Sequence, residues 1–241
     1  MKFLDQIRGI TLQVQRKPEN IFGEIIGHEE PKEAFNIFLQ GEGIIAVLMQ
    51  GPPACSKSLF IQAMRRKYKD SFWINGGNAS GAGMLDAVFD RKNTSHLLID
   101  EVDGLKAPDQ KAILDLIETG VLSSVKVKKN GGARYREFSN LKIFVTCNNV
   151  EKLSKAFQSR FFRIYFKEYT EEEFIEIAIK MFPKKDPELC EYIAKATWRV
   201  LESKNIRDCI RIIKSSKNSE AADKLISLQI RYGPPKEESE E

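Results

Sequence analysis

No apolar run in this sequence approaches the ~20 residues that a membrane-spanning helix needs. Its first ten residues (MKFLDQIRGI) mix charges among the apolar positions, which leaves no signal-peptide core there. Both absences predict a cytoplasmic protein with no membrane partner. Cysteine and histidine are scarce. Cys55, Cys147, Cys190 and Cys209 form no C-x-x-C pair, and His28 and His96 lie far from all four in sequence. That spacing speaks against a zinc site and predicts reduced thiols, buried or incidental. Neither sign of charge dominates: 38 Lys and Arg against 34 Asp and Glu give +4, too weak a balance to name a nucleic-acid partner. There are no internal repeats. What is present is the composition of a folded chain, 42% hydrophobic and 30% charged, which excludes wholesale disorder. With 241 residues the chain forms one large domain or two small ones. It buries roughly 70% of its unfolded surface, so it needs no disulfide or metal staple.

After a leading segment (residues 1–20) with weak alternation, short apolar runs alternate with helical stretches. Strands are predicted at 46–50 (AVLMQ), 71–75 (SFWIN), 96–100 (HLLID), 141–146 (LKIFVT) and 163–166 (RIYF). Helices are predicted at 57–68 and at 108–118, the second with Pro108 in its first turn. Short buried strands separated by helices imply a parallel sheet covered on both faces. Beyond Tyr169 the pattern changes. Thr170 and Glu173 have the spacing of a capping box, and only helical periodicity follows to about residue 232. Pro183, Asp186-Pro187, Asn205 and Asn218 divide it into about four helices. The expected organisation is an α/β unit over 21–168, a small all-helical unit over 169–232, and a disordered tail over 233–241 (GPPKEESEE).

Two segments carry chemistry. Gly51-Pro-Pro-Ala-Cys-Ser-Lys57-Ser58 follows a strand and opens a helix, the setting of a phosphate-binding loop. Such a loop wraps backbone N–H groups around phosphates at the positive end of the helix. Lys57 supplies a point charge there, and the Ser58 hydroxyl is placed to ligate Mg²⁺. Ser56 departs from the usual glycine before the lysine, and its small side chain is tolerated if φ stays negative. The bland alternative is a Gly-Pro turn with a surface lysine. The second segment is His96-Leu-Leu-Ile-Asp100-Glu101, an apolar strand ending in two acids. In an open parallel sheet, ligands gather at the carboxyl ends of the strands. Asp100 is placed to hold Mg²⁺, directly or through water, and Glu101 to orient or deprotonate an attacking water. The alternative is a pair of solvated acids, and Asp103 is read as solvated.

On these residues the chain resembles the AAA+ ATPase family over about residues 20–215. GPPACSKS looks like Walker A and LLIDE like Walker B. IIGH, ending at His28, looks like the adenine-side segment. Thr146-Cys-Asn148-Asn149 looks like sensor 1, Gln158-Ser-Arg160-Phe-Phe-Arg163 like the arginine-finger segment, and Asn205-Ile-Arg207-Asp208 like sensor 2. The resemblance implies a parallel-sheet P-loop NTPase core with a helical lid, and ATP with Mg²⁺ as nucleotide and cofactor. It puts Ile26, Gly27, the loop residues Gly51, Pro52, Pro53, Ala54, Cys55, Ser56, Lys57 and Ser58, and then Leu59 and Arg207 around the nucleotide. It gives Asn148, in preference to Asn149, the attacking water and terminal phosphate. Arg160, with Arg163 second, is implied to reach a neighbouring subunit's nucleotide, which implies a closed ring, a hexamer by analogy.

Between the second helix and the fourth strand, two alternating runs flank Asn130-Gly131-Gly132, a hairpin signal. Lys126, Lys128, Lys129, Arg134, Arg136 and Lys142 face only Glu137 in this stretch, a local net of +5 that exceeds that of the whole chain. A hairpin before sensor 1 is similar to the branch holding the RuvB branch-migration motors, minichromosome-maintenance helicases and MoxR-type remodelling ATPases. The resemblance extends to small archaeal stand-alone ATPases of the RuvB and clamp-loader kind. Lys126, Lys128, Lys129, Arg134 and Arg136 are the expected nucleic-acid contacts, with Tyr135 and Phe138 available for stacking. Against this stands a solvated edge hairpin whose lysines block sheet-to-sheet pairing. Three functions stay open: an ATP-driven DNA motor, a MoxR-like or chaperone-like protein remodeller, and an ATP-switch subunit of a larger assembly.

Overall fold

The protein is described by a computed structural model over residues 20–77, 87–91, 93–124 and 134–233. Residues 1–19 of the leading segment, Lys126, Lys128, Lys129, the Asn130-Gly131-Gly132 turn and residues 234–241 of the acidic tail lie outside the described residues. In chain order the elements of the first part are α1 (Glu29–Gln40), β1 (Ile44–Gln50), α2 (Lys57–Lys67), β2 (Ser71–Asn75), β3 (His96–Asp100), α3 (Ala107–Thr119), β4 (Val121–Ser124), β5 (Arg134–Glu137), β6 (Leu141–Cys147), α4 (Lys155–Ser159) and β7 (Phe162–Tyr165). The helices that follow are α5 (Glu171–Met181), α6 (Pro187–Arg199), α7 (Ile206–Ser215) and α8 (Ser219–Tyr232).

Five strands form a parallel sheet in the order β2-β3-β6-β1-β7. Consecutive residues of β1 go to opposite faces. Ala46 and Leu48 join a core with Ile113 and Leu116 of α3, whereas Val47 and Met49 join one with Phe35 of α1 and Phe60 and Met64 of α2. Burial on both faces explains why these strands are apolar runs rather than alternating ones. All seven residues of β6 are buried. Lys142 among them is accommodated because its ammonium donates to Gly43 O (2.9 Å) and Asn140 Oδ1 (2.6 Å). β1 begins two residues before the sequence-predicted start, because Ile44 and Ile45 pair with Leu141 and Lys142. The basic hairpin is a separate antiparallel pair, β4 with β5.

The chain reverses the order of strand addition at β1: β6 lies on one side and β7 on the other, with β2 and β3 beyond β6. Such a switch point opens a crevice outside the carboxyl ends of the strands. Register aligns those ends, with Asn75 opposite Asp100 and Gln50 opposite Cys147. Helices α5 to α8 pack around a third core that includes Phe174, Ile193 and Ile213. The capping box at Thr170 forms: Glu173 N donates to Thr170 Oγ1 (3.2 Å), and Thr170 N donates to Glu173 Oε2 (2.9 Å). Among the described residues, no helix is long and apolar enough to cross a membrane, and the four cysteines are free and buried.

Candidate functional site

A cleft of about 650 Å³ lies between the carboxyl ends of β1, β3 and β6 and the helices α5 and α7. The loop that leaves β1 forms its floor. Gly51 has φ 149°, and a Cβ there would meet Phe166 O at 2.3 Å, so only glycine fits. Ala54 and Ser56 are also left-handed, at φ 62° and 67°. Ser56 therefore does not keep the negative φ under which a side chain was expected to be tolerated. It adopts the conformation a glycine would adopt, and its hydroxyl is hydrogen-bonded to the Tyr169 hydroxyl just before α5. Tyr169 is buried, and that burial pushes its phenol up to about 12.

Lys57 is buried at the first turn of α2, and its ammonium donates to Gly51 O (2.7 Å) and Pro52 O (2.5 Å). The loop thus keeps a positive charge beside the amino end of a helix, where the backbone dipoles add to it. Ser58 Oγ donates to Asp100 Oδ1 (3.0 Å), and Thr146 Oγ1 donates to the same oxygen (2.5 Å). Thr146 in turn accepts Glu101 N–H (2.8 Å). Glu101 has φ 57°, a left-handed conformation costing a residue with a side chain roughly 1–2 kcal/mol. Its carboxylate accepts from Asn75 Nδ2 (3.2 Å). Gly76 runs close by; a Cβ on it would meet Glu101 O at 2.3 Å.

Ile26, Pro53, Ala54 and Cys55 border the cleft, as do Ser56, Lys57, Ser58 and Leu59. Asp100, Glu101, Asn148 and Arg207 complete the set of expected residues that reach it. Gly27, Gly51 and Pro52 shape it without lining it. Gly27 has φ 69°, and a Cβ there would strike Glu173 Oε1 at 2.3 Å. Asn149 turns away to cap the following turn, accepting Glu151 N–H (3.0 Å). Arg160 and Arg163 lie outside the cleft of their own chain. The first pairs with Glu118 (2.5 Å), and the second donates to Gln50 Oε1 (2.9 and 3.1 Å) on the sheet edge.

The hairpin arginine Arg136 serves the fold. Its guanidinium sits 4.8 Å above the Phe138 ring and donates to Val88 O (2.8 Å) and Arg91 O (2.5 Å). Asp103 is not simply solvated: Oδ2 accepts Asn149 N–H (3.0 Å), and Oδ1 is buried. Sequence reasoning also missed Asn75 and Tyr169, and it named Thr146 only as the start of the sensor 1 segment, with no role of its own. Asn75 ends β2 and Thr146 is the polar residue next to the end of β6, a signal that points to them only once β2, β3 and β6 are known to be neighbours. Arg66 and Lys180 add two further cations to the cleft rim.

A loop shaped by glycine after β1, a lysine at a helix start and an acid at the end of β3, one strand removed across β6, define a P-loop nucleoside-triphosphate-binding protein. The family model for AAA, ATPase family associated with various cellular activities, matches residues 47–169. The chain belongs to that family. Its fold is shared with solved structures of RuvB from Thermotoga maritima. Two variants align with TM-scores of 0.67 and 0.65 at 19% and 20% identity, over 91% and 90% of this chain and 77% and 75% of theirs. The structure described as the Thermotoga maritima RuvB Holliday junction branch migration motor aligns with a TM-score of 0.63 at 17% identity, over 88% of this chain and 72% of its own. No curated protein sequence matches.

Proposed function

We propose that the chain is a Mg²⁺-dependent ATPase that works as a closed ring, a hexamer by analogy, and acts on DNA. The observation that carries the ATPase reading is the chain of contacts Ser58–Asp100–Thr146–Glu101 beside the phosphate loop. A hydroxyl and a carboxylate oxygen 3.0 Å apart are hard donors of the type Mg²⁺ takes. Ser58 and Asp100 would hold that ion, which supplies charge neutralisation for phosphoryl transfer. Lys57 and the backbone N–H groups of the loop from Ala54 to Leu59 hold the phosphate tail at the helix start, with Gly51, Pro52 and Pro53 shaping the loop around it. Ile26 and Gly27 form the base side, and Arg207 reaches over the nucleotide from α7. Glu101 takes the proton of the attacking water, and Asn148 orients that water and the terminal phosphate. Asn75 holds the Glu101 carboxylate, and Thr146 holds its backbone, so the base is fixed before reaction. Arg160, with Arg163 second, acts on the neighbouring subunit's nucleotide, which makes turnover depend on assembly.

The DNA reading is supported by the charge of the hairpin at Lys126, Lys128, Lys129 and Arg134, and by likeness to a fold whose solved member is named a branch migration motor. Arg136 is engaged internally and so takes one cation away from that charge; the second reading is a MoxR-like or chaperone-like protein remodeller in which the hairpin binds protein. Measurement of Mg²⁺-dependent ATP hydrolysis with and without duplex DNA tests both parts. Lys57→Ala is expected to abolish nucleotide binding. Reversing Lys126, Lys128 and Lys129 to Glu is expected to remove DNA stimulation while leaving basal turnover. Basal hydrolysis with no response to DNA would leave the ATPase and reject the DNA motor.

A further inference from the structure

Asn148 is exposed at the cleft and sits between two residues that both meet one carboxylate. Asp103, on the turn after β3, accepts the backbone N–H of Asn149 at 3.0 Å. The Cys147 thiol, on the other side of Asn148, lies close enough to the same carboxylate that its charge, second only to burial, pushes the thiol up to about 12. The second carboxylate oxygen, Oδ1, is buried with no hydrogen bond of ordinary geometry. A buried acceptor left unmet costs stability, and a surface acid would not be held in this way. The result is local: the backbone just after Asn148 is tied, through the Asn149 N–H, to the turn that follows Asp100 and Glu101.

We propose that Asp103 is a positioning residue that fixes Asn148 relative to Glu101, by holding the strand end of β6 against the turn after β3. The proposal rests on the ATPase reading given above. Asp103 touches no nucleotide; it acts through Asn148. What it supplies is geometry, and geometric misplacement near 1 Å is enough to lower a rate by roughly 100-fold.

The test is a kcat-against-KM comparison on the full chain with Mg²⁺ and ATP, using Asp103→Ala, Asp103→Asn, Asn148→Ala and the Asp103→Ala/Asn148→Ala pair. Asp103→Ala is expected to lower kcat by roughly tenfold or more while KM stays within about twofold. Asp103→Asn keeps an oxygen for the Asn149 amide and is expected to retain turnover within about threefold. In the Asn148→Ala background, Asp103→Ala is expected to add less than about twofold, since the residue it positions is gone. If Asp103→Ala does not fold, Asp103→Ser replaces it, its hydroxyl being too short to reach the amide. An Asp103→Ala enzyme with unchanged kcat beside an impaired Asn148→Ala overturns this proposal alone. A full additional loss in the Asn148→Ala background also overturns it. Normal turnover by Asn148→Ala overturns both the role of Asn148 and this proposal, and absence of hydrolysis by the unaltered chain overturns the ATPase reading with it.

Discussion

Ser56 and Tyr169 meet hydroxyl to hydroxyl, joining the phosphate loop to the residue just before the N-cap of the first helix of the helical segment. Ala54 of the same loop packs against the core of that segment. The loop is therefore fastened to both parts of the molecule, and the serine that replaces the usual glycine supplies one of the fastenings.

Two opposing terms at Ser56 set the first expectation. A left-handed φ of 67° costs a serine roughly 1 kcal/mol relative to glycine, and the bond to Tyr169 returns about as much. Ser56→Gly in the unaltered chain should change stability by less than about 0.5 kcal/mol. In a Tyr169→Phe background, where the bond is already lost, the same change should stabilise by about 1 kcal/mol. Urea midpoints of the four proteins measure the coupling; equal effects in both backgrounds would show that the hydroxyls do not cooperate.

Thr146 makes two hydrogen bonds from one hydroxyl, to Asp100 and from Glu101 N–H. Thr146→Val keeps the shape and removes both. It leaves a backbone amide and a carboxylate oxygen short of a partner, a loss of about 1–3 kcal/mol. The expected result is a fall in kcat of roughly 10- to 100-fold at nearly unchanged ATP affinity. Calorimetric binding alongside steady-state turnover separates the two.

Glu101→Gln keeps the side chain's size and removes its basicity. It is expected to bind ATP, stay assembled and stop hydrolysis. Arg160→Ala subunits should also be inactive alone. Mixed with Glu101→Gln subunits they should recover part of the activity, because each kind supplies what the other's shared site lacks. No recovery at any mixing ratio would place the arginine's action within its own chain, or confine it to the Glu118 ion pair seen here.

His96 provides a pH dependence remote from the cleft. It is buried at the start of β3, stacked on Tyr68 at 3.9 Å, with Nε2 unpartnered. Burial first, and the Lys142 charge second, push its imidazole down to about 4 from 6.5. The unfolded chain therefore binds the proton more readily between pH 6.5 and 4, and stability falls as pH is lowered through that window. The total is about 3 kcal/mol. Denaturation midpoints from pH 7 to 4.5 should show the decline, and a His96→Phe variant should show a shallower one.

Much of this architecture is legible because its signals are contiguous. The phosphate loop and the Asp100-Glu101 pair are short runs whose chemistry depends on neighbours in sequence, and the capping box at Thr170 needs only three residues of spacing. The buried strands announce themselves as apolar runs, for the physical reason that both faces of the sheet are covered. The hairpin was visible in its turn residues, but the use of Arg136 was not: its partners, Val88 and Arg91, lie more than forty positions away.

The sequence alone determined the loop, the acid pair, the parallel sheet and the family resemblance, since each follows from local periodicity or fixed spacing. Only the tertiary structure decided which strand ends stand side by side. Parallel register set Asn75 against Asp100 and brought Thr146 under both acids. It also turned Asp103 from a surface acid into a tie and gave Ser56 a positive φ with a distant partner. Those relationships join residues between 25 and 113 positions apart, a separation across which no sequence pattern carries a signal and only the tertiary fold fixes the geometry.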